Sequence, residues 1–185
     1  MLRSRTTAMA SIMCAQALWR AVRPPKRRRP AAARVDEPVF QGVQFGPWAA
    51  TMARFDGHDL VIAIDAATYL TLVFRFQSAA RFRSNFSAAL RAALEDFGAP
   101  ERTGLLESTV VETAPLVALT DRTLLSALND VKFFCDLELG YHTDLRRVQR
   151  NLNDLPRAHR DPCVPAEAVA MRFGGPLALP APSAH

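Results

Sequence analysis

The alternation of apolar and polar positions changes period once along the chain, and that change divides it into a strand region and a helix region. From Phe45 the order Phe45-Gly46-Pro47-Trp48 reads as a turn into a strand over 49–55. Asp56-Gly57 follows, a strong hairpin signal because both residues tolerate positive φ. The next run, Asp59 to Asp65, carries Leu60, Ile62 and Ile64 on one face. A short turn through Ala66 and Ala67 leads to Tyr69–Phe76, where Leu70, Leu72, Phe74 and Phe76 alternate with Tyr69, Thr71, Val73 and Arg75. That period of two predicts a half-buried strand. Three strands on short connections predict an antiparallel meander.

The spacing then becomes helical. Phe82, Phe86, Leu90, Ala93, Leu94 and Phe97 form one apolar stripe, closed by Gly98 and Pro100. Residues 101–108 suggest a short helix. Residues 109–120, with Val110, Val111, Leu116, Val117 and Leu119, predict an extended segment that Pro115 confines to an edge. Asp121 is a cap for a second main helix over 122–139, with Leu124, Leu125, Leu128, Val131 and Cys135 as its stripe and Gly140 as its stop. Thr143 is read as the cap of a third over 144–155, ended by Pro156. Proline at its first turn marks a last short helix over 165–173. The expected fold is α+β: an antiparallel meander of three or four strands packed against three main helices. A single domain is expected over 41–173, followed by a disordered Pro/Ala-rich tail over 174–185.

Charge changes the view of the first forty residues. The formal net charge is +5. Residues 1–34 hold nine basic residues (Arg3, Arg5, Arg20, Arg23, Lys26, Arg27, Arg28, Arg29, Arg34) and no acid. The remainder has fourteen basic residues against eighteen acidic, so the body is mildly acidic. Residues 1–40 are therefore read as a flexible basic leader, with a short helix over 13–22 and a proline-flanked linker from Pro24 to Pro30. Three origins fit it: an organelle transit peptide, a secretory signal, or extra residues from an upstream start, with Met1, Met9 and Met13 as candidate starts. The third is the working expectation, for a cytoplasmic bacterial protein. Only Lys26 and Lys132 among the basic residues are lysines, a skew expected of a GC-rich genome. Nonspecific contact with nucleic acid is expected only through residues 1–34.

The residues name no chemistry. No apolar run approaches the roughly 18 residues of a membrane span, so no membrane association is expected. Cys14, Cys135 and Cys163 are too scattered for a disulfide framework or zinc module, and no two histidines have helical ligand spacing. Neither a phosphate-binding glycine loop nor a nucleophile elbow is present, and no cofactor or metal is expected. Cys135 falls on an apolar stripe and is read as core.

The densest polar cluster lies at the start of the second main helix. Arg122, Ser126, Asn129 and Asp130 fall along one flank at i, i+4, i+7 and i+8. One reading makes them a ligand-binding flank, with a guanidinium for an anion and an amide and carboxylate for orientation. The other makes them structural, with Asn129 and Asp130 tying the helix to the strand–loop before it. The protein is accordingly expected to be a non-catalytic binding or interaction module, with a protein partner as one option. The alternative is a hydrolase or nuclease-like enzyme using Arg122, Asn129 and Asp130, for which a single carboxylate is thin equipment.

The same helix carries a resemblance. Thr120-Asp121-Arg122-Thr123-Leu124-Leu125-Ser126-Ala127-Leu128-Asn129-Asp130 is similar to a T-x-R-S-x-L-G-S-M-N-D motif of the bacterial family known as domain of unknown function 6933. Thr120, Arg122, Leu125, Asn129 and Asp130 match; Thr123, Ser126, Ala127 and Leu128 depart from it. Gly46-Pro47-Trp48, Asp65-Ala66-Ala67-Thr68 and Arg150-Asn151-Leu152-Asn153-Asp154-Leu155-Pro156 resemble further family segments, in the family's order, across about residues 13–172. The resemblance implies an α+β domain and names no activity, so it carries over no catalytic residue.

Overall fold

A computed structural model describes residues 11–23, 45–157 and 164–173. Among these residues the sheet has five strands: β1 (Ile12–Cys14), β2 (Trp48–Phe55), β3 (His58–Asp65), β4 (Thr71–Arg75) and β5 (Leu116–Ala118). Their order across the sheet is β4-β3-β2-β1-β5. The meander β2-β3-β4 is antiparallel, as its short turns require. Asp56 (φ 45°) and Gly57 (φ 79°) both adopt the left-handed conformation of a two-residue hairpin turn.

The sheet is mixed, which corrects the expectation of a purely antiparallel meander. β1 lies between β2 and β5 and is parallel to both, with Met13 opposite Ala49 on one side and Val117 on the other. Its backbone alternates between neighbours. Ile12 N donates to Pro115 O at 2.9 Å, and Cys14 O accepts from Leu119 N at 2.9 Å on the β5 side. On the other side Ala15 N donates to Ala50 O at 2.8 Å. Residues 12–22, assigned from charge to a leader, are thus a sheet strand and the first helix, α1 (Gln16–Val22). Three residues are too few for a period of two to announce a strand. The leader's remaining residues, 1–10 and 24–40, and the tail from 174 lie outside the described residues.

Helices cover both sheet faces. On one, α1, α2 (Phe82–Asp96), α3 (Glu101–Thr113) and α6 (Pro165–Arg172) enclose a core with Leu18, Trp48, Val61, Leu72, Phe86, Leu90 and Val169. On the other, α4 (Arg122–Tyr141) and α5 (Leu145–Asp154) pack on Leu60, Ile62, Ile64 and Val73. β4 is consequently buried on both faces, not half-buried: Thr71, Leu72, Val73 and Phe74 all lie inside. The first core is rich in edge-to-face aromatic pairs, with Phe86 set against Trp48 at 5.3 Å and against Phe74 at 5.6 Å.

Three helix boundaries differ from expectation. α3 continues through Thr113 where residues from 109 had read as extended. Its β-branched run is held helical by packing on α2, and Thr109 and Thr113 turn their hydroxyls back onto Leu105 O and Val110 O at 2.9 and 3.1 Å. Arg83 from α2 then collects the carbonyls of Val111, Glu112 and Ala114 at the helix end. Gly140 does not stop α4, which runs to Tyr141. α5 is capped by Asp144, accepting from Arg146 N at 2.9 Å, and not by Thr143.

Two side-chain amides close the open edge of β4. Asn153 Oδ1 accepts from Thr71 N at 2.7 Å, and Asn153 Nδ2 donates to Thr71 O at 2.9 Å. Gln149 Oε1, one turn earlier on α5, accepts from Val73 N at 2.9 Å. The helix thus replaces a sixth strand and satisfies buried backbone groups that would otherwise lack partners.

Two stability measurements test this frame. Deleting residues 1–22 should prevent folding, whereas deleting only 1–10 should leave a cooperative melt by circular dichroism. Asn153→Leu strands both groups of Thr71 and should cost about 2 kcal/mol or more in urea unfolding, while exposed Arg147→Ala should stay within about 0.5 kcal/mol of the parent.

Candidate functional site

Helix α4 begins where the polar cluster begins. Asp121 caps it, its carboxylate accepting from Thr123 N at 2.8 Å and Leu124 N at 3.1 Å. Leu124, Leu128, Val131 and Cys135 recur at helical spacing and seat the helix on β2 and β3. That packing turns the opposite flank to solvent. Arg122, Ser126, Asn129 and Asp130 are all exposed on it. None of the four makes a side-chain hydrogen bond among the described residues. Among the described residues Asn129 and Asp130 make no side-chain hydrogen bond to the preceding strand–loop, so the expected tie between α4 and that loop is not seen.

Arg157 is an electrostatic neighbour of Asp130. Arg157 follows α5, its Nη2 donating to Leu152 O at 2.7 Å. Burial pushes the Arg157 guanidinium pKa down, and the charge of Asp130 partly offsets that. Arg157 Nε is buried without a hydrogen-bond partner among the described residues.

Beside exposed Lys132 and Asp136, several large apolar residues of α4 are also exposed. Leu125 (41% exposed), Phe133 (61%), Phe134 (37%), Leu137 (47%) and Tyr141 (82%) all reach solvent. Leu125 read as a core residue from sequence. The structure moves it outside, because the buried stripe turns through Leu124, Leu128, Val131 and Cys135 and leaves Leu125 about 100° away. The exposed side of α4 thus mixes polar residues, densest near its amino-terminal end, with large apolar ones, most of them toward its carboxy-terminal end.

Other polar residues that sequence reading passed over serve the frame. Asp65 is fully buried at the end of β3. Its carboxylate accepts from Gly46 N at 2.6 Å, Thr68 N at 2.7 Å, Thr68 Oγ1 at 2.7 Å and Ala67 N at 3.2 Å, with Arg172 Nη2 at 4.0 Å. Asp-x-x-Thr was legible as a motif, but not as an anchor between a turn and a segment nineteen residues earlier. Arg146 and Arg150 both hold Asp96 of α2, at 2.5 and 2.9 Å. Burial works against the Asp96 carboxylate, but the bonds from the two arginines outweigh it and leave its pKa lowered.

Cysteine chemistry is suppressed. Cys14 and Cys135 are free and buried, and burial pushes each thiol up to about 12, opposed at Cys14 by Arg83 and reinforced at Cys135 by Asp136 and Glu138. Cys135 is core, as read from the stripe; Cys163 lies outside the described residues. Among the described residues no three His, Cys, Asp or Glu side chains are grouped to hold a metal, and no helix is long and apolar enough to cross a membrane. A cleft of about 540 Å³ lies between α2 and α3, lined by Arg91, Glu95, Gly98 and Glu101 among others. A second, of about 300 Å³, lies where α2 and α5 meet β4. α4 lines neither.

The model of the Domain of unknown function (DUF6933) family matches residues 11–168. The chain belongs to this family. The match starts at residue 11, where the structure places the entry into β1, so the matched region includes the strand between β2 and β5. No curated protein matches the chain. The family segments take on separate roles here. Asp65 and Asn153 are buried anchors, whereas Arg122, Asn129 and Asp130 are exposed.

Asp130→Ala and Asn129→Ala should each leave the thermal melt close to that of the parent, a change of about 0.5 kcal/mol or less. Asp96→Asn should destabilise the fold at neutral pH. The folded pKa of Asp96 lies below its ordinary 3.8, so its contribution is complete above that value and is lost as pH falls through the folded pKa. Acid titration of parent and Asp96→Asn should therefore show the two stabilities converging at low pH.

Proposed function

We propose that the protein is a non-catalytic interaction module that binds a protein partner through the outer face of α4. The observation that carries this reading is the exposed set Leu125, Phe133, Phe134, Leu137 and Tyr141, continuous with Arg122, Ser126, Asn129 and Asp130 on a helix whose other side is fully engaged by the sheet. Exposed aromatic residues beside an arginine supply the anchor chemistry typical of protein interfaces. The polar residues at the amino-terminal end supply orientation. Their dispensability for internal bonding supports a role outside the chain.

The same geometry weighs against catalysis. Asp130 sits on a solvated helix face, and of the two carboxylates that flank it in sequence, Asp121 and Asp136, the first is engaged as a cap. Acid–base or metal-assisted hydrolysis needs an enclosed pair of groups. We place the protein in the cytoplasm of a bacterium. The free cysteines Cys14 and Cys135 fit a reducing compartment, and the arginine skew fits a GC-rich genome.

Replacing Phe133 by a photo-reactive phenylalanine analogue in the full chain tests the module. Irradiation should give one discrete protein adduct that disappears when Arg122→Glu is added, with an unchanged thermal melt. The same label at Thr109, on the outer side of α3, should give none. Adducts of equal yield at both positions would remove the case for a dedicated face.

A further inference from the structure

The outer face of α4 is complementary to itself when two copies run antiparallel. The helix spans twenty residues, about 30 Å at 1.5 Å per residue. At 100° per residue, Arg122, Leu125, Ser126, Asn129, Phe133 and Asp136 share one outward stripe, and all six are exposed. Place Asn129 on a two-fold axis perpendicular to the helix. Positions equally far before and after residue 129 then face each other across the pair. Leu125 of each copy meets Phe133 of the other, and Arg122 of each meets Asp136 of the other. Neither Arg122 nor Asp136 is in an ion pair among the described residues, so both charges are free to be matched.

The geometry points to a homodimer in which α4 packs antiparallel on α4 of a second copy, with Asn129 paired to Asn129 on the axis. This rests on the interaction reading above and names its partner. The pattern meets the requirement of an isologous interface, in which one patch supplies both halves of every contact. Two symmetric Leu–Phe contacts form its apolar centre, two Arg–Asp pairs close its ends, and the paired amides on the axis penalise any register that leaves them facing apolar groups. Charge matching selects this register. Centring the pair on Phe133 instead would bring Asp130 against Asp136, a like-charge clash. A single helix pair is a small interface, so the dimer should dissociate on dilution.

The test is sedimentation velocity of the full chain over a concentration series, with charge reversals. The parent should approach twice the chain mass of 20.4 kDa as concentration rises. Arg122→Asp and Asp136→Arg should each weaken association by about ten-fold or more by placing like charges opposite, and the double variant should recover it. Asn129→Cys treated with diamide should form a disulfide-linked dimer, while Thr109→Cys should not. If the double variant stays monomeric, the Asn129→Cys cross-link decides: its formation keeps the register and its failure overturns it. A monomer at every concentration overturns the proposal, whether the chain's own basic segment or a different protein then covers the face. A dimer indifferent to both single reversals overturns it too. A monomer whose Phe133 label captures another protein in the Arg122-dependent way would sink the homodimer and leave the interaction module standing.

Discussion

The backbone of Ile12–Cys14 hydrogen-bonds to two strands at once, and the rest of the architecture is arranged around that short insertion. Without it, β2 and β5 would face each other across an empty strand position, and Leu116–Ala118 would have no sheet to join. The helix that follows directly, α1, lays Leu18 and Val22 onto the same core that receives Trp48 and Phe86. A segment of eleven residues at the start of the chain thereby links the meander, the last strand and one helical layer. Because both its neighbours are parallel to it, neither can be reached by a tight turn, so the connections on both sides are long.

The two ends of the sheet are handled differently. β5 is short, which limits how much unpaired backbone that edge exposes. β4 is longer and buried on both faces, and Asn153 and Gln149 supply the acceptors and the donor that a further strand would have supplied. These contacts also fix α5 against the sheet, and Arg146 and Arg150 clamp it to α2 through Asp96. Much of the polar content of the family motifs is consumed in such internal bonding. Against that background the free polar residues of α4 stand out.

α4 therefore has two faces with different obligations. The inner face, Leu124, Leu128, Val131 and Cys135, is bound by packing against β2 and β3. On the outer face Phe133 meets Phe134 edge-to-face at 5.6 Å, and Phe133, Leu137 and Tyr141 stay exposed. Hydrophobic residues scattered singly over a surface are ordinary, but five large exposed ones lie on this one helix: Phe133 and Leu137 share its outermost side with Arg122 and Asn129, and Leu125 and Phe134 flank that side on opposite edges.

Periodicity by itself determined the hairpin at Asp56-Gly57, the alternating strands on either side of it, the stripes of α2 and α4, the α+β class and the burial of Cys135. These are local properties, and hydrogen bonding within a turn or helix makes them readable over four to fifteen residues. The family resemblance was legible too, in the polar residues of four short segments. Tertiary structure alone decided the parallel placement of β1, because a three-residue strand has no period and its basic surroundings argued for a leader. It decided that β4 is buried on both faces, since a second helical layer is invisible to alternation within one strand. It decided that residues 109–113 are helical, where packing on α2 overrode β-branched preference. Above all it separated anchors from surface. Asn153 and Asp130 look alike as polar residues on helices, and only the position of the β4 edge, 82 residues from Asn153 in sequence, makes the first a buried partner and leaves the second to solvent.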